Sequence, residues 1–240
     1  MTPYIIHGKG RRTHQEDSYY VDPAHRYFLI SDGVGGGEQG RLASITVIAS
    51  AKKWIEDNYG CLDQADWGEL SSQIHKDLKH SHDMHSIQSF IGSTAVIVIL
   101  WKSGAHVLHV GDSRCYHLVD RGVSFWRTKD HSLVQELFDV GVLNSLDEMQ
   151  RHPKKNVVTR AFTSDQGLSN PVFSHYWISQ LESNDLLLLC TDGVQEVFPG
   201  DSIVEVFRNE DSGIEKTVKV IETYCQKKAT DNYTALAIEI

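Results

Sequence analysis

The chain has 240 residues, of which 40% are hydrophobic, and a formal net charge of −9 at pH 7. This length suits one large domain or two small ones, and the apolar fraction is enough to fill a sizeable core. The acidic balance excludes a general binder of nucleic acid or of an anionic membrane surface, while leaving room for a small basic pocket.

No run approaches the ~20 apolar residues of a membrane span. The stretch from Met1 to Arg12 lacks the apolar segment of a signal peptide. Cys61, Cys115, Cys190 and Cys225 are widely spaced and form no CxxC pair. A reducing, cytoplasmic setting is expected. In chain order, strand patterns fall at 17–22, 27–31, 94–101, 105–110, 114–119, 123–126, 186–191 and 234–240. Helical patterns fall at 40–59, 66–82, 131–140, 202–209 and 213–227. Consecutive strands separated by only a few residues imply antiparallel hairpins, because a parallel crossover needs a dozen or more residues. That favours an α+β layered domain over a doubly wound parallel sheet. The segment 141–170 is polar, weakly periodic and contains Pro153 and Gly167, and reads as a lid or flap.

Five aspartates sit where apolar runs begin or end: Asp17, Asp32, Asp112, Asp192 and Asp231. A carboxylate at the rim of a core is costly unless it is paired or bound to a metal. Too few Lys or Arg are near these positions in the sequence to pair them all. Shared cations resolve the problem, and a set of oxygen ligands favours Mg²⁺ or Mn²⁺ over zinc. Arg12, five residues before Asp17, has the forked geometry to grip a phosphate whose metal a neighbouring carboxylate holds; the plainer reading is a surface ion pair with Glu16. In Ser31-Asp32-Gly33-Val34-Gly35-Gly36-Gly37 a strand-end Asp precedes glycines that let the backbone approach a cation closely.

Three patterns read as decoys. Gly35 to Gly40 satisfies GxGxxG, but Glu56 and Asp57, about 20 positions on, end a helix rather than a second strand. Cys115 to Arg121 has the Cys-x5-Arg spacing of cysteine-dependent phosphatases, yet Tyr116 to Val119 is strand-like and lacks the glycines of a phosphate loop. His80, His82 and His85 cluster near a helix end without a fourth ligand at zinc spacing. His131 is expected to steady a loop.

Taken together, the motifs resemble the metal-dependent (PPM-type, type 2C) serine/threonine protein phosphatases in their compact bacterial form. In family order they are Arg12-x-x-x-Glu16-Asp17, Asp32-Gly33-x-Gly35-Gly36, Gly92-Ser93-Thr94-Ala95 and Val110-Gly111-Asp112-Ser113-Arg114. Then come Asp130-His131-Ser132-Leu133-Val134, Asn156 to Ala161, Thr191-Asp192-Gly193 and Asp231-Asn232. The resemblance implies a single domain over 4–240, a four-layer α-β-β-α sandwich of two mostly antiparallel sheets flanked by helices, with a flap at about 133–165. It implies that Asp32 bridges two Mn²⁺ or Mg²⁺ ions, that the Gly33 carbonyl binds one, and that Asp192 and Asp231 bind the other. Asp17 and Glu16 look like direct or water-mediated supports, Arg12 like the phosphate clamp, and Asp112 like a ligand of a weaker third ion.

The implied reaction is hydrolysis of phosphoserine and phosphothreonine by direct attack of a metal-bridging water, opposing a Ser/Thr kinase, by a monomer. Two departures from the family pattern stand out. The places where relatives often carry His after the Asp-Gly pair hold Val34 and Gly37, so the proton donor to the leaving group is open. The family's Arg-Ala-Leu-Gly is replaced by Arg160-Ala161-Phe162-Thr163. The alternatives are a catalytically weak, phosphatase-like regulatory module that binds phosphoprotein, and a cysteine-based phosphatase using Cys115.

Overall fold

The computed structural model describes residues 3–165, 171–209 and 213–240, excluding the side chains of Arg121 and Asn209. The chain divides into two compact units, each discontinuous in sequence. One contains the stretch ending at Arg12, Gly111–Arg160 and Glu182–Ile240; the other contains Thr13–Val110 and Ala161–Leu181.

The unit holding the C-terminus is built on a five-stranded antiparallel sheet. It comprises β1 (Pro3–Gly8), β7 (Arg114–Val119), β8 (Ser124–Arg127), β11 (Leu186–Cys190) and β12 (Tyr233–Glu239), in the order β1-β12-β11-β7-β8. The uninterrupted apolar run of β11 is buried at every residue. Alternation then splits it between two faces: Leu186, Leu188 and Cys190 join one core with Val218, Ile221 and Cys225 of α7 (Ile214–Lys228). The spacing 218, 221, 225 is one helical stripe. Phe207 of α6 (Ser202–Asn209) and Val194 of α5 (Asp192–Val197) complete that core. Two short helices, α3 (Leu133–Asp139) and α4 (Leu146–Arg151), start at Ser132 and Ser145, whose hydroxyls accept from the amides of Gln135 and Glu148.

The other unit carries a seven-stranded antiparallel sheet. Its strands are β2 (Asp17–Val21), β3 (Tyr27–Val34), β4 (Gly92–Ser93), β5 (Ala95–Trp101), β6 (Gly104–Val110), β9 (Phe162–Thr163) and β10 (Ser174–Ile178). They run β10-β6-β5-β3-β4-β9, with β2 also on β3. Tyr27, Leu29, Ile97 and Ile99 on one sheet face pack with Val47, Ala51 and Ile55 of α1 (Glu38–Asn58) and Leu70, Ile74 and Leu78 of α2 (Trp67–Met84). Asp66 caps α2, its carboxylate accepting from the amides of Gly68 and Glu69.

The molecule is thus an α+β fold of two antiparallel sheets with helices on each, as the hairpin spacing implies. All eight expected strands and five expected helices are present within a few residues. The sequence reading omits β1, β4, β9, β10, α4 and α5. In β1 the adjacent Ile5 and Ile6 point oppositely, with Ile6 buried and Ile5 exposed; so short a run carries no clear period. Strands β4 and β9 have two residues each, too few for any pattern. The segment 141–170 is not structureless, since it holds α4 and β9; residues 166–170 lie outside the described ones. Asp32 does not close its strand, because Gly33 and Val34 continue β3 to pair with β4.

Candidate metal centre

In the C-terminal unit, Asp112 lies two residues beyond β6, Asp192 opens α5, and Asp231 lies two residues before β12. Together with Arg12 they line one cleft of about 740 Å³. Burial, followed by the negative charges of Asp192 and Asp130, pushes the Asp112 carboxyl well above the usual carboxylate range. The nearby Arg114 offsets this only in part. Its guanidinium forks onto Asp130, with Nε to Oδ1 at 2.7 Å and Nη2 to Oδ2 at 2.6 Å, and such a bidentate pair is strong and directional. With Arg114 engaged by Asp130, the negative charges of Asp112 and Asp192 remain closely set, the condition a divalent cation corrects.

Each of these carboxylates is held by its backbone. Gln195 Nε2 donates to the Asp112 carbonyl at 2.8 Å. The His131 amide donates to the Gly111 carbonyl at 2.8 Å, and the Gly111 amide donates to His131 Nδ1 at 3.1 Å. Burial, and then Arg160, lower the His131 pKa to about 4, so the ring is a neutral acceptor that steadies the Asp112 loop. Gly193 follows Asp192 because a Cβ there would collide with the Asn232 carbonyl. The Glu196 carboxylate accepts from the amides of Thr230 at 2.8 Å and Asp231 at 3.3 Å. Asn232 Nδ2 donates to the Lys9 carbonyl at 2.9 Å, and the Arg11 amide to the Thr230 carbonyl at 3.3 Å. This threading puts the Arg12 guanidinium against Asp231, Nη2 to Oδ2 at 2.6 Å.

In the other unit, Asp17 and Asp32 face each other in the β2–β3 register, and Asp17 is only 3% exposed. The Asp32 amide donates to Thr94 Oγ1 at 3.0 Å, and its carbonyl accepts from the Thr94 amide at 2.9 Å and from Ser93 Oγ at 2.6 Å. Ser31 Oγ lies 2.6 Å from Ser93 Oγ and donates to the Thr94 carbonyl at 2.7 Å. All three hydroxyl residues are buried. The Gly33 amide donates to the Glu16 carbonyl at 3.2 Å. A Cβ on Gly33 would collide with the Gly40 carbonyl, and one on Gly40 with the Glu16 carboxylate, so both glycines allow a close approach that brings Glu16 beside the Gly33 segment.

No group of three or more His, Cys, Asp or Glu that could hold a metal is found among the described residues. The donor set nevertheless fits a hard cation: Glu16, Asp17, Asp32 and the Gly33 carbonyl in one unit, and Asp112, Asp192 and Asp231 in the other, are all oxygen donors. Sequence reasoning did not assign a role to Asp130, Gln195, Glu196, Ser31, Ser93 or Thr94. Asp130, Ser93 and Thr94 were visible only as motif members; Glu196 had the one legible signal, four residues after Asp192 on the same helix. The cysteine and histidine patterns have structural roles. Cys115 is fully buried within β7, and burial, then Cys190, raises its thiol pKa far above the range of a nucleophile. Arg121, its Cys-x5-Arg partner, has its side chain outside the described residues. His85 Nδ1 lies 2.8 Å from the Ser81 carbonyl and His82 Nδ1 lies 3.2 Å from Asp83, so both serve the end of α2.

Comparison with known proteins shows the family of the chain. The family model described as protein phosphatase 2C matches residues 9–234. The protein phosphatase PhpP of Streptococcus pneumoniae serotype 2 is 27% identical over 236 residues, covering 96% of this chain and 93% of its own. The crystal structure of the Mycobacterium tuberculosis serine/threonine phosphatase PstP/Ppp superposes with a TM-score of 0.81 at 23% identity, over 100% of this chain and 98% of that one. The catalytic domain of PstP in complex with two manganese ions superposes with a TM-score of 0.76 at 23% identity, over 99% and 97% of the two chains. With a family model matched over nearly the whole length and the motif carboxylates all present, the chain belongs to the protein phosphatase 2C family.

Proposed function

We propose that this protein serine/threonine phosphatase holds two Mn²⁺ or Mg²⁺ ions on Asp32, the Gly33 carbonyl, Asp192 and Asp231. Asp17 and Glu16 support them, and Asp112 serves a weaker third ion. The observation that carries the reading is the cleft in which Arg12, Asp112, Asp192 and Asp231 come together. Bound cations of this kind supply a water that is nucleophilic at neutral pH and offset the charge on the phosphoryl group.

The chain's own residues do the rest. The Arg12 guanidinium, 56% exposed in the cleft, is placed to fork onto two phosphoryl oxygens. Its pairing with Asp231 fixes its position before substrate arrives. Ser93 and Thr94 fix the Asp32 backbone, and Gln195 and His131 that of Asp112, so the donors need little rearrangement. No side-chain nucleophile is called for, since the one cysteine with phosphatase spacing is buried in a strand, and the reaction is a direct displacement by water. The substrate is a phosphoprotein made by a Ser/Thr kinase, and the enzyme acts as a cytoplasmic monomer. The regulatory-module alternative would be marked by a lost donor residue, and the sequence retains each expected one. Among the described residues, no helix is long and apolar enough to cross a membrane.

The test is hydrolysis of p-nitrophenyl phosphate. Turnover should require Mn²⁺ or Mg²⁺, vanish with EDTA, resist thiol blockers and be abolished by Asp192→Ala. Activity that survives EDTA, or that Cys115→Ser destroys, would refute it.

A further inference from the structure

The segment 151–160, Arg151-His152-Pro153-Lys154-Lys155-Asn156-Val157-Val158-Thr159-Arg160, carries four Lys or Arg and no Asp or Glu, in a chain of net charge −9. Such a run is usually a solvated face, but here part of it forms a wall of the reactive cleft. Arg151 and Lys155 line the same cavity as Arg12, Asp112, Asp192 and Asp231. Arg151 closes α4, its Nη2 3.1 Å from Asp147 Oδ1 one turn back. Lys155 is exposed and forms no ion pair with the described residues. Its backbone is fixed: its amide donates to the His152 carbonyl at 3.1 Å, and the Lys154 carbonyl accepts from the Val157 amide at 3.2 Å. A positive charge is thus presented by an ordered turn, on the rim of a cleft whose floor is acidic.

Resting on the phosphatase reading above, we propose that Lys155, assisted by Arg151, selects phosphoproteins with an Asp or Glu close in sequence to the phosphorylated residue. With the carboxylates of the floor taken up by the cations and the phosphoryl group, an acidic flank of the substrate is received at the cleft wall, where Lys155 offers its charge. Arg151 has its charge shared with Asp147, which makes Lys155 the main contact. A rim charge of this kind acts through steering and modest pairing, so its effect is small and sensitive to salt.

The experiment compares kcat/KM for two phosphoserine peptides of equal length, one with Asp or Glu at the flanking positions and one with Gln or Asn. The unaltered chain, Lys155→Gln, Lys155→Glu and a control, Lys216→Gln, are assayed with Mn²⁺ at low and high NaCl. Lys216 lies on the exposed surface of α7 and loses the same charge elsewhere. The unaltered chain and the control should favour the acidic peptide, less so at high salt. Lys155→Gln should cut that preference by about two- to fivefold, the range of an exposed pair, and Lys155→Glu should abolish or invert it. Equal preference in the unaltered chain and both Lys155 variants overturns the proposal, as does an equal loss in the control. No Mn²⁺-dependent turnover of p-nitrophenyl phosphate by the unaltered chain would instead overturn the phosphatase reading on which it rests.

Discussion

Asp32 depends on its neighbours' hydroxyls more than on its own surroundings. Thr94 both accepts from the Asp32 amide and donates its own amide to the Asp32 carbonyl. Replacing Thr94 by Val keeps the shape and removes the hydroxyl that accepts from the half-buried Asp32 amide, which costs about 1–3 kcal/mol. Thr94→Val should therefore unfold at lower urea and bind Mn²⁺ more weakly by calorimetry, while Thr94→Ser should restore both; a Val variant matching the unaltered chain contradicts the role. Arg114 and Asp130 make a second, sharper case. Both are about nine-tenths buried and doubly hydrogen-bonded. Removing one partner strands a buried charge, so Asp130→Ala should cost about 3–5 kcal/mol in equilibrium unfolding. These supports were hard to see in the sequence, because a Thr or Asp that pairs locally looks the same on paper as one that binds a ligand. The ligand candidates themselves stood out because each is an acid at the margin of an apolar run.

Elements with a long period or a strong cap were legible, and short ones were not. The stripe Leu70, Ile74, Leu78 and the cap Asp66 both mark α2, and Asp66→Ala should lower its stability by about 1 kcal/mol. β10 reads poorly because its half-buried and exposed positions mix aromatic and polar residues: His175 meets His106 of β6 at 3.0 Å, and Trp67 of α2 packs on both rings. Burial, then His175, holds His106 at about 4, and burial lowers His175 as well. In the unfolded chain both titrate near about 6.5. Between those values the unfolded state binds more protons, so the stability gained from neutral rings is complete above about pH 6.5 and is lost as the pH falls toward 4. Unfolding free energy should decline over that window, and the decline should be shallower in His106→Gln; His131 adds a slope of the same sign that this substitution leaves in place. An unchanged slope would contradict the assignment.

At the scale of the whole molecule, the candidate donors come from segments scattered from Glu16 to Asp231, and each unit is itself discontinuous. The order of motifs along the chain made the family and the two antiparallel sheets readable before any coordinates. The division into units was not readable, because Glu182–Ile240 pairs back onto β1 through contacts that span nearly the full sequence. A cation bound by the folded chain alone stabilises it by mass action. Added Mn²⁺ should therefore raise the melting temperature of the unaltered protein and do so far less for Asp192→Ala. The most direct measurement is release of inorganic phosphate from a phosphothreonine peptide, with the unaltered chain and Asp192→Ala assayed side by side at saturating Mn²⁺ and again after EDTA. Turnover by the unaltered chain alone, and only with metal, is the predicted result; comparable release by Asp192→Ala, or by either protein in EDTA, would contradict it.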